Sequence, residues 1–335
     1  MLLTLVLAAS IIIGVSIGSV NIPVKEVVYI FWSELTGRSV PIEISENHKN
    51  IILSIRLPRV VLAGLVGASL AIAGAAFQGL LRNPLADPYT LGVSSGASVG
   101  AVMTIFFQIA LPFFGNFTLP LLSIIFAFLT MLVVLFFARL LDRSLRVETI
   151  ILTGIVFSSF LGALISLMIA LTGEELRQII GWLLGSVSMR GWSYVLIILP
   201  FFVTGSLLLM MNANELNVMA FGEEHAQHIG VAVKQKKLLI MIAGSILTGA
   251  AVAVSGTIGF VGLVIPHFIR FLIGPNHVHL LPASIFVGSS FLIIADLCSR
   301  TVISPAELPI GVITALIGAP VFALIMLRQN VKGRK

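Results

Sequence analysis

Apolar residues run along this chain in long blocks, separated by short polar or glycine-rich stretches. The blocks cover Met1 to Val20 and then about 57 to 80, 90 to 111, 118 to 139, 149 to 171, 193 to 211, 237 to 256, 258 to 274, 281 to 299 and 308 to 327. A helix needs about 20 mostly apolar residues to cross the hydrocarbon of a bilayer. The pattern therefore predicts an all-α polytopic membrane protein with ten transmembrane helices, several of them short or rich in glycine. Ten spans take roughly 200 residues, which leaves no room in a chain of 335 for a large soluble domain. Residues 1–335 read as a single transmembrane domain, with a polar loop at 21–55 and a polar interruption at 215–231. Met1 to Val20 has no lysine or arginine ahead of it and lacks the positive start of a secretory signal. It reads as the first span, and its abrupt apolar start leaves room for a missing polar leader.

Composition removes the soluble alternative: 58% of residues are hydrophobic and 10% charged, where soluble domains carry roughly a quarter charged residues. The net charge of +6 could suggest nucleic acid, but the basic residues are scattered between apolar blocks and form no basic face. The positive-inside rule explains them better. With a cytoplasmic N-terminus, twelve fall inside: Arg82, Arg139, Arg143, Arg146, Lys234, Lys236, Lys237, Arg270, Arg328, Lys332, Arg334 and Lys335. Eight fall outside: Lys25, Arg38, Lys49, Arg56, Arg59, Arg177, Arg190 and Arg300. Both termini are then cytoplasmic. The single cysteine, Cys298, excludes an intrachain disulfide and a cysteine metal cluster.

Gly92, Gly96 and Gly100 recur every four residues and predict a flat stripe for close helix packing. Gly256, Gly259 and Gly262 recur every three residues where two spans meet, with Pro266 following, which predicts a broken or kinked region. Non-helical backbone at membrane depth survives only when buried in protein or facing a wet cavity, so this segment is a candidate pathway wall. Gly67-Ala68-Ser69-Leu70 with Gly79 matches Gly244-Ser245-Ile246-Leu247 with Gly256 at an offset of 177 residues. As a repeat this maps span 2 onto span 7 and, being offset by five crossings, inverts the two halves. Chance competes, because glycine and alanine are common in membrane helices.

Glu215 to Val231 carries acids, amides and histidines at helix-compatible spacing and predicts a short surface helix, or a pair broken at Gly222, able to enter a groove on a cytoplasmic partner. An ordinary solvated loop is the competing reading. Glu224, His225 and His228 have ligand-like spacing, but no third strong ligand is near and a metal is not expected. Asp296 is the acid inside a span and taken alone suggests a proton relay; Arg300 one turn on offers an ion pair instead. His267, after Pro266, reads as a satisfied polar group. No G-x-x-x-x-G-K-[ST] loop occurs, so the chain carries no recognisable means of hydrolysing ATP. Neither a Ser/His/Asp set nor H-E-x-x-H is evident, and no cofactor is expected.

Six stretches carry a resemblance: IRLPR (55–59), GASLAIAGAAFQGLLRNPLADPYTLGVSSGASVGA (67–101), FGEEHAQHIGV (221–231), GTIGFVGLVIPHFIRFLIGPNH (256–277), FLIIADLCSR (291–300) and ELPIGVITALIGAPVF (307–322). In order and spacing they resemble the FecCD permease family, the membrane subunits of ABC importers for ferric siderophores, haem and cobalamin. The resemblance runs from near Ile22 to the last span. It implies a type II importer permease, with a second permease subunit (the same or a related chain), two cytoplasmic ATPase subunits and an extracytoplasmic substrate-binding protein. It implies a multi-pass place in the bacterial inner membrane.

By that resemblance 215–231 is the coupling-helix region that docks on the ATPase, and Gly222, Glu223, Glu224, Ala226, Gly230 and Val231 match the family pattern. Arg56, Arg59 and Arg300 stand where the cobalamin branch receives acidic residues of the binding protein, a task that suits the planar guanidinium fork. Surface snorkelling, or for Arg300 the pair with Asp296, is the alternative. Asn83, Pro84 and Asp87 read as a cytoplasmic turn. The inner gate falls by analogy near the start of span 5, where Val147 and Glu148 replace small hydroxyl residues of the cobalamin branch. A ferric siderophore is the expected cargo, cobalamin and haem the alternatives, and an ion-coupled secondary transporter the competing class.

Overall fold

The computed structural model describes residues 1–18, 20–37 and 44–332. Arg38, Arg334 and Lys335 of the charge tally lie outside the described residues. In chain order the helices are α1 (Leu2–Ser16), α2 (Val24–Thr36), α3 (Glu46–Asn50), α4 (Leu57–Leu80), α5 (Val93–Phe106), α6 (Thr118–Leu141), α7 (Val147–Leu171) and α8 (Leu176–Leu183). They continue with α9 (Trp192–Met211), α10 (Ala213–Ala220), α11 (Glu223–His228), α12 (Val233–Ser255), α13 (Val261–Ile273), α14 (His277–Thr301) and α15 (Ile310–Lys332). Among the described residues six helices are long and apolar enough to cross a bilayer and four more are shorter and apolar. Each of the ten predicted blocks is found as one of these helices.

The polar stretches hold more structure than their composition suggested. Within the predicted loop 21–55, α2 buries Val27 and Ile30 while Glu26 meets His48 Nδ1 at 2.7 Å and Glu34 meets Lys49 at 2.7 Å, which ties α2 to α3. Between spans 5 and 6, α8 buries Ile179 and Trp182 one turn apart. Both helices lie between spans, where a hydropathy pattern tuned to long apolar runs passes over them.

α4 is the central post, with 89% of its most apolar stretch buried, whereas α7 has only 17%. Small residues allow the difference. A Cβ on Gly67 would lie 2.2 Å from Gly288 O of α14, and one on Gly74 would lie 2.0 Å from Gly262 O of α13. The backbones of three helices are thus in direct contact, the packing that small residues permit where lipid removes the hydrophobic drive between helices. Gly96 and Gly100 face α6 in the same manner, close to Thr130 and to Leu122 O. α4 packs on α14 and α13, and α12 on α6 and α5. These contacts follow the mapping of span 2 onto span 7, whereas the extensive packing of α12 on α9, beside a slight contact of α4 with α1, does not.

α5 and α13 are the short spans. Fourteen and thirteen residues rise only about 20 Å against a hydrocarbon core of roughly 30 Å. Each is preceded by irregular backbone: a 3-10 turn at Pro88–Leu91 before α5, and residues 256–260 before α13, with Gly256 at φ 72° and Phe260 at φ 69°. The two segments satisfy each other. The Tyr89 hydroxyl donates to Ile258 O at 2.8 Å and accepts from Ile258 N at 2.9 Å. Within α13, Pro266 has no N–H to offer the Gly262 carbonyl four residues back, and Gln78 Nε2 donates there at 3.3 Å and to Leu263 O at 3.1 Å. Arg270 in turn donates to Gln78 Oε1 at 3.1 Å.

Candidate functional site

One end of the bundle carries α10 and α11. Gly222 joins them at φ 122° and ψ 149°, a conformation a side chain would oppose, so the predicted break falls at this glycine. Three attachments hold the pair to the spans. Lys236 Nζ donates to Asn212 Oδ1 and Glu215 Oε1, both at 2.7 Å, fastening α10 to α12. Burial pushes the Glu215 carboxyl up, but the Lys236 bond and charge outweigh it and hold it below its ordinary value. Asn217 Oδ1 accepts from His277 N at 2.8 Å, fastening α10 to α14. Lys237, 2% exposed, pairs with Glu223 at 2.5 Å and donates to Leu145 O at 2.9 Å, which fastens α11 to α12 and to the α6–α7 turn.

The six residues matched to the coupling region therefore divide. Ala226 is buried, Gly222, Glu223 and Val231 are half-buried, and Glu224 and Gly230 are exposed. Glu223, expected to face a partner, is occupied by Lys237. Two apolar side chains in this polar stretch stand out instead: Phe221 is 80% exposed and Ile229 61%. Between α11 and the start of α7 lies a cleft of about 440 Å³ lined by Arg82, Arg146, Glu148 and Glu224 among others. The α6–α7 turn beside it is stiff: Asp142 Oδ1 accepts from Ser144 N and Ser144 Oγ, and Oδ2 from Arg146 N. Those bonds pull the Asp142 carboxyl down to about 2.

The opposite end carries the three arginines expected to dock a partner, and all three are engaged within the chain. Arg56, 5% exposed, donates to Val15 O and Ser16 O at 2.8 Å and to Val20 O, closing the end of α1. Arg59, 9% exposed, grips Asp296 through Nε and Nη2 at 2.9 and 2.8 Å, and Glu307 through Nη1 and Nη2 at 2.9 and 3.1 Å. Arg300 donates to Gly14 O and lies 3.6 Å from Asp296. Asp296 is fully buried between two guanidinium groups, the arrangement of a structural counter-ion and not of an open proton relay. Burial raises the Glu307 carboxyl, yet the Arg59 and Ser188 hydrogen bonds with the Arg59 and Arg300 charges hold it below its ordinary value. Three arginines against two carboxylates leave this cluster, though not the end as a whole, one positive charge in excess.

Sequence reasoning passed over Lys237, Tyr89 and Gln78. In the sequence Lys237 reads only as one of the basic residues that set topology. Its phase with the buried Ile240, Met241 and Gly244, three, four and seven residues on, marks the inward face of α12. Tyr89 and Gln78 gave no such signal, because their partners lie 169 and 184 residues away.

The model of the FecCD transport family matches residues 5–328. The chain belongs to the FecCD transport family. It is 62% identical, over 98% of its length and 93% of the relative, to the uncharacterised ABC transporter permease YvrB of Bacillus subtilis. It is 40% identical, over 90% of its length and 80% of the relative, to the cobalamin import permease BtuC of Halobacterium salinarum. A solved ABC transporter of the metal-chelate type, in an inward-facing conformation, superposes with a TM-score of 0.84 at 34% identity, covering 97% of both chains. Further relatives are named as permeases for molybdate, hemin, ferric hydroxamate and ferric dicitrate. The chain is thus a multi-pass permease subunit of an ABC importer and not an enzyme; ATP is hydrolysed by a separate subunit. That displaces the ion-coupled secondary transporter.

Proposed function

We propose that this permease imports a ferric siderophore by alternating access across the bacterial inner membrane, with both termini and the α10–α11 end cytoplasmic. One observation carries the coupling role: Glu224 of α11 and the flanking Phe221 and Ile229 are exposed on a helix pair fastened to α12, α14 and the α6–α7 turn. Exposed apolar side chains in a polar rim suit a protein groove, and a rigid mounting passes on displacement. Each of two ATPase subunits receives one such pair. The second permease subunit covers the outward face of α7, where Phe160 and Leu171 are exposed. The substrate-binding protein meets the end that carries the Arg59 cluster, whose guanidinium forks are already filled, so that what the cluster offers an acidic partner is its one excess positive charge and not an open fork. Relatives named for ferric hydroxamate and ferric dicitrate support the cargo; cobalamin, haem and molybdate are the alternatives.

The test is uptake of labelled ferric siderophores, haem, cobalamin and molybdate in cells lacking the chain, restored with the native sequence or with Glu224→Arg. Glu224 is the acid to reverse, since reversing Glu223 would strand Lys237. Restoration of one ferric siderophore's uptake by the native chain alone supports both cargo and docking. Restoration of another cargo refutes the siderophore assignment, and full restoration by Glu224→Arg removes that acid from the ATPase contact.

A further inference from the structure

Lys237 occupies a position that the charge distribution does not explain. It is 2% exposed at the cytoplasmic end of α12, where a lysine serving only topology would reach water. Its ammonium group instead joins two elements that do not otherwise share a hydrogen bond among the described residues. These are Glu223 in the first turn of α11, at 2.5 Å, and the carbonyl of Leu145 in the α6–α7 turn, at 2.9 Å. Lys234, one turn earlier, donates to Arg143 O at 2.8 Å, so the same helix grips the turn twice.

The turn it grips leads directly into α7, the least buried of the six long spans. α7 has four buried residues, Val147, Ile150, Thr153 and Gly154, all in its first two turns. Val147 packs with Leu81 and Ala86 in a small cluster separate from the main core. A Cβ on Gly154 would lie 2.6 Å from Thr90 O, a close crossing on the 3-10 turn before α5. Beyond that crossing no residue of α7 is fully buried, although Ile165, Met168 and Ile169 pack against the main core. The buried anchor of α7 therefore lies at its cytoplasmic end, and a displacement of the preceding turn enters the helix there. The Asp142 bonds make the preceding turn a stiff lever.

We propose that Lys237 is a positioning residue that makes α11 and the α6–α7 turn one rigid body, so that displacement of α11 by the ATPase turns α7 about its cytoplasmic end. This rests on the assignment of α11 to the ATPase contact. The chemistry suits the task. A buried ammonium has three donors, and two of them are spent on a carboxylate and a carbonyl from different elements. Separating those elements would leave a buried charge underpaired. Lysine to methionine keeps the length and the apolar stem while deleting the charge and the donors.

The experiment uses the importer complex in lipid nanodiscs and proteoliposomes, with Cys298→Ser as background and nitroxides on His228→Cys in α11 and Arg143→Cys in the turn. Uptake per ATP hydrolysed and the nitroxide distance are read with and without ATP. In the native chain the distance is the same in both states. In Lys237→Met the ATPase still copurifies, the distance changes on ATP binding, and uptake per ATP falls about tenfold, within the usual range of couplings between sites. The double variant Glu223→Gln/Lys237→Met carries no stranded charge. A residue needed only for stability would regain native uptake per ATP there, whereas loss of transmission persists. Native uptake per ATP in either variant, or an ATP-independent distance in Lys237→Met, overturns the proposal. Failure of the ATPase to copurify with the native chain overturns the docking assignment beneath it, a result distinct from the first two.

Discussion

Replacing Asp296 by Asn tests whether the ionic cluster at the end opposite α10 and α11 is structural. The carboxylate is 1% exposed and is held by three hydrogen bonds from Arg59 and an ion pair with Arg300. Losing its charge leaves two guanidinium groups, with side chains 11% and 7% exposed, sharing only Glu307. Stranding a buried charge in this way costs about 3–5 kcal/mol. Glu307→Gln removes a carboxylate that is 39% exposed, where water can take its place, and should cost about 0–1 kcal/mol. The assay is the thermal midpoint of detergent-purified protein followed by size-exclusion fluorescence, with native, Asp296→Asn, Arg59→Met, Glu307→Gln and Arg59→Met/Asp296→Asn chains side by side. Asp296→Asn should fall furthest. The double variant should lose less than the sum of its parts, because removing Arg59 relieves the charge that Asp296→Asn strands. Midpoints for Asp296→Asn and Glu307→Gln within about two degrees of each other would refute the reasoning and make Asp296 available for a role in transport.

Tyr89→Phe removes the hydroxyl that serves both backbone groups of Ile258. Unpaired buried groups cost about 1–3 kcal/mol each, so the thermal midpoint should drop and reconstituted uptake fall; an unchanged midpoint would show that another group, or water, holds the broken segment. Burial raises the Asp87 carboxyl to about 6, so the folded chain takes up that proton at higher pH than the unfolded chain, and stability from this group is lost as pH rises from about 4 to 6. Glu307 and Glu215 are lowered and act in the opposite sense: their contribution is present above the ordinary glutamate value near 4.5 and lost as pH falls below it. The thermal midpoint should therefore rise from pH 7 toward 5 and decline below about 4.5, and Asp87→Asn, which keeps the acceptor for Tyr89 N, should abolish the rise. Superimposable profiles for the two chains would contradict this.

Hydropathy alone determined the ten apolar helices, because the cost of bare backbone in hydrocarbon makes any long apolar run helical wherever it packs. Local chemistry likewise marked the glycine break at 222, the interruption before α13 and the polar pair at 215–231, all set by residues within a few positions of each other. The family was legible too, from motifs in sequence order. What these residues do in the fold was not. Arg59 and Asp296 stand 237 positions apart, and nothing near either one indicates that the guanidinium is already filled and not waiting for a partner. Glu223 reads as a docking acid until Lys237 is found beneath it. Tyr89 and Gln78 look like ordinary polar residues until their partners, the unpaired carbonyls and N–H of distant broken helices, are brought alongside. A chain's local pattern sets which backbone can be helical, but the partner of a buried charge or an orphaned carbonyl is chosen by whichever distant helix packs against it, and that only the tertiary structure decides.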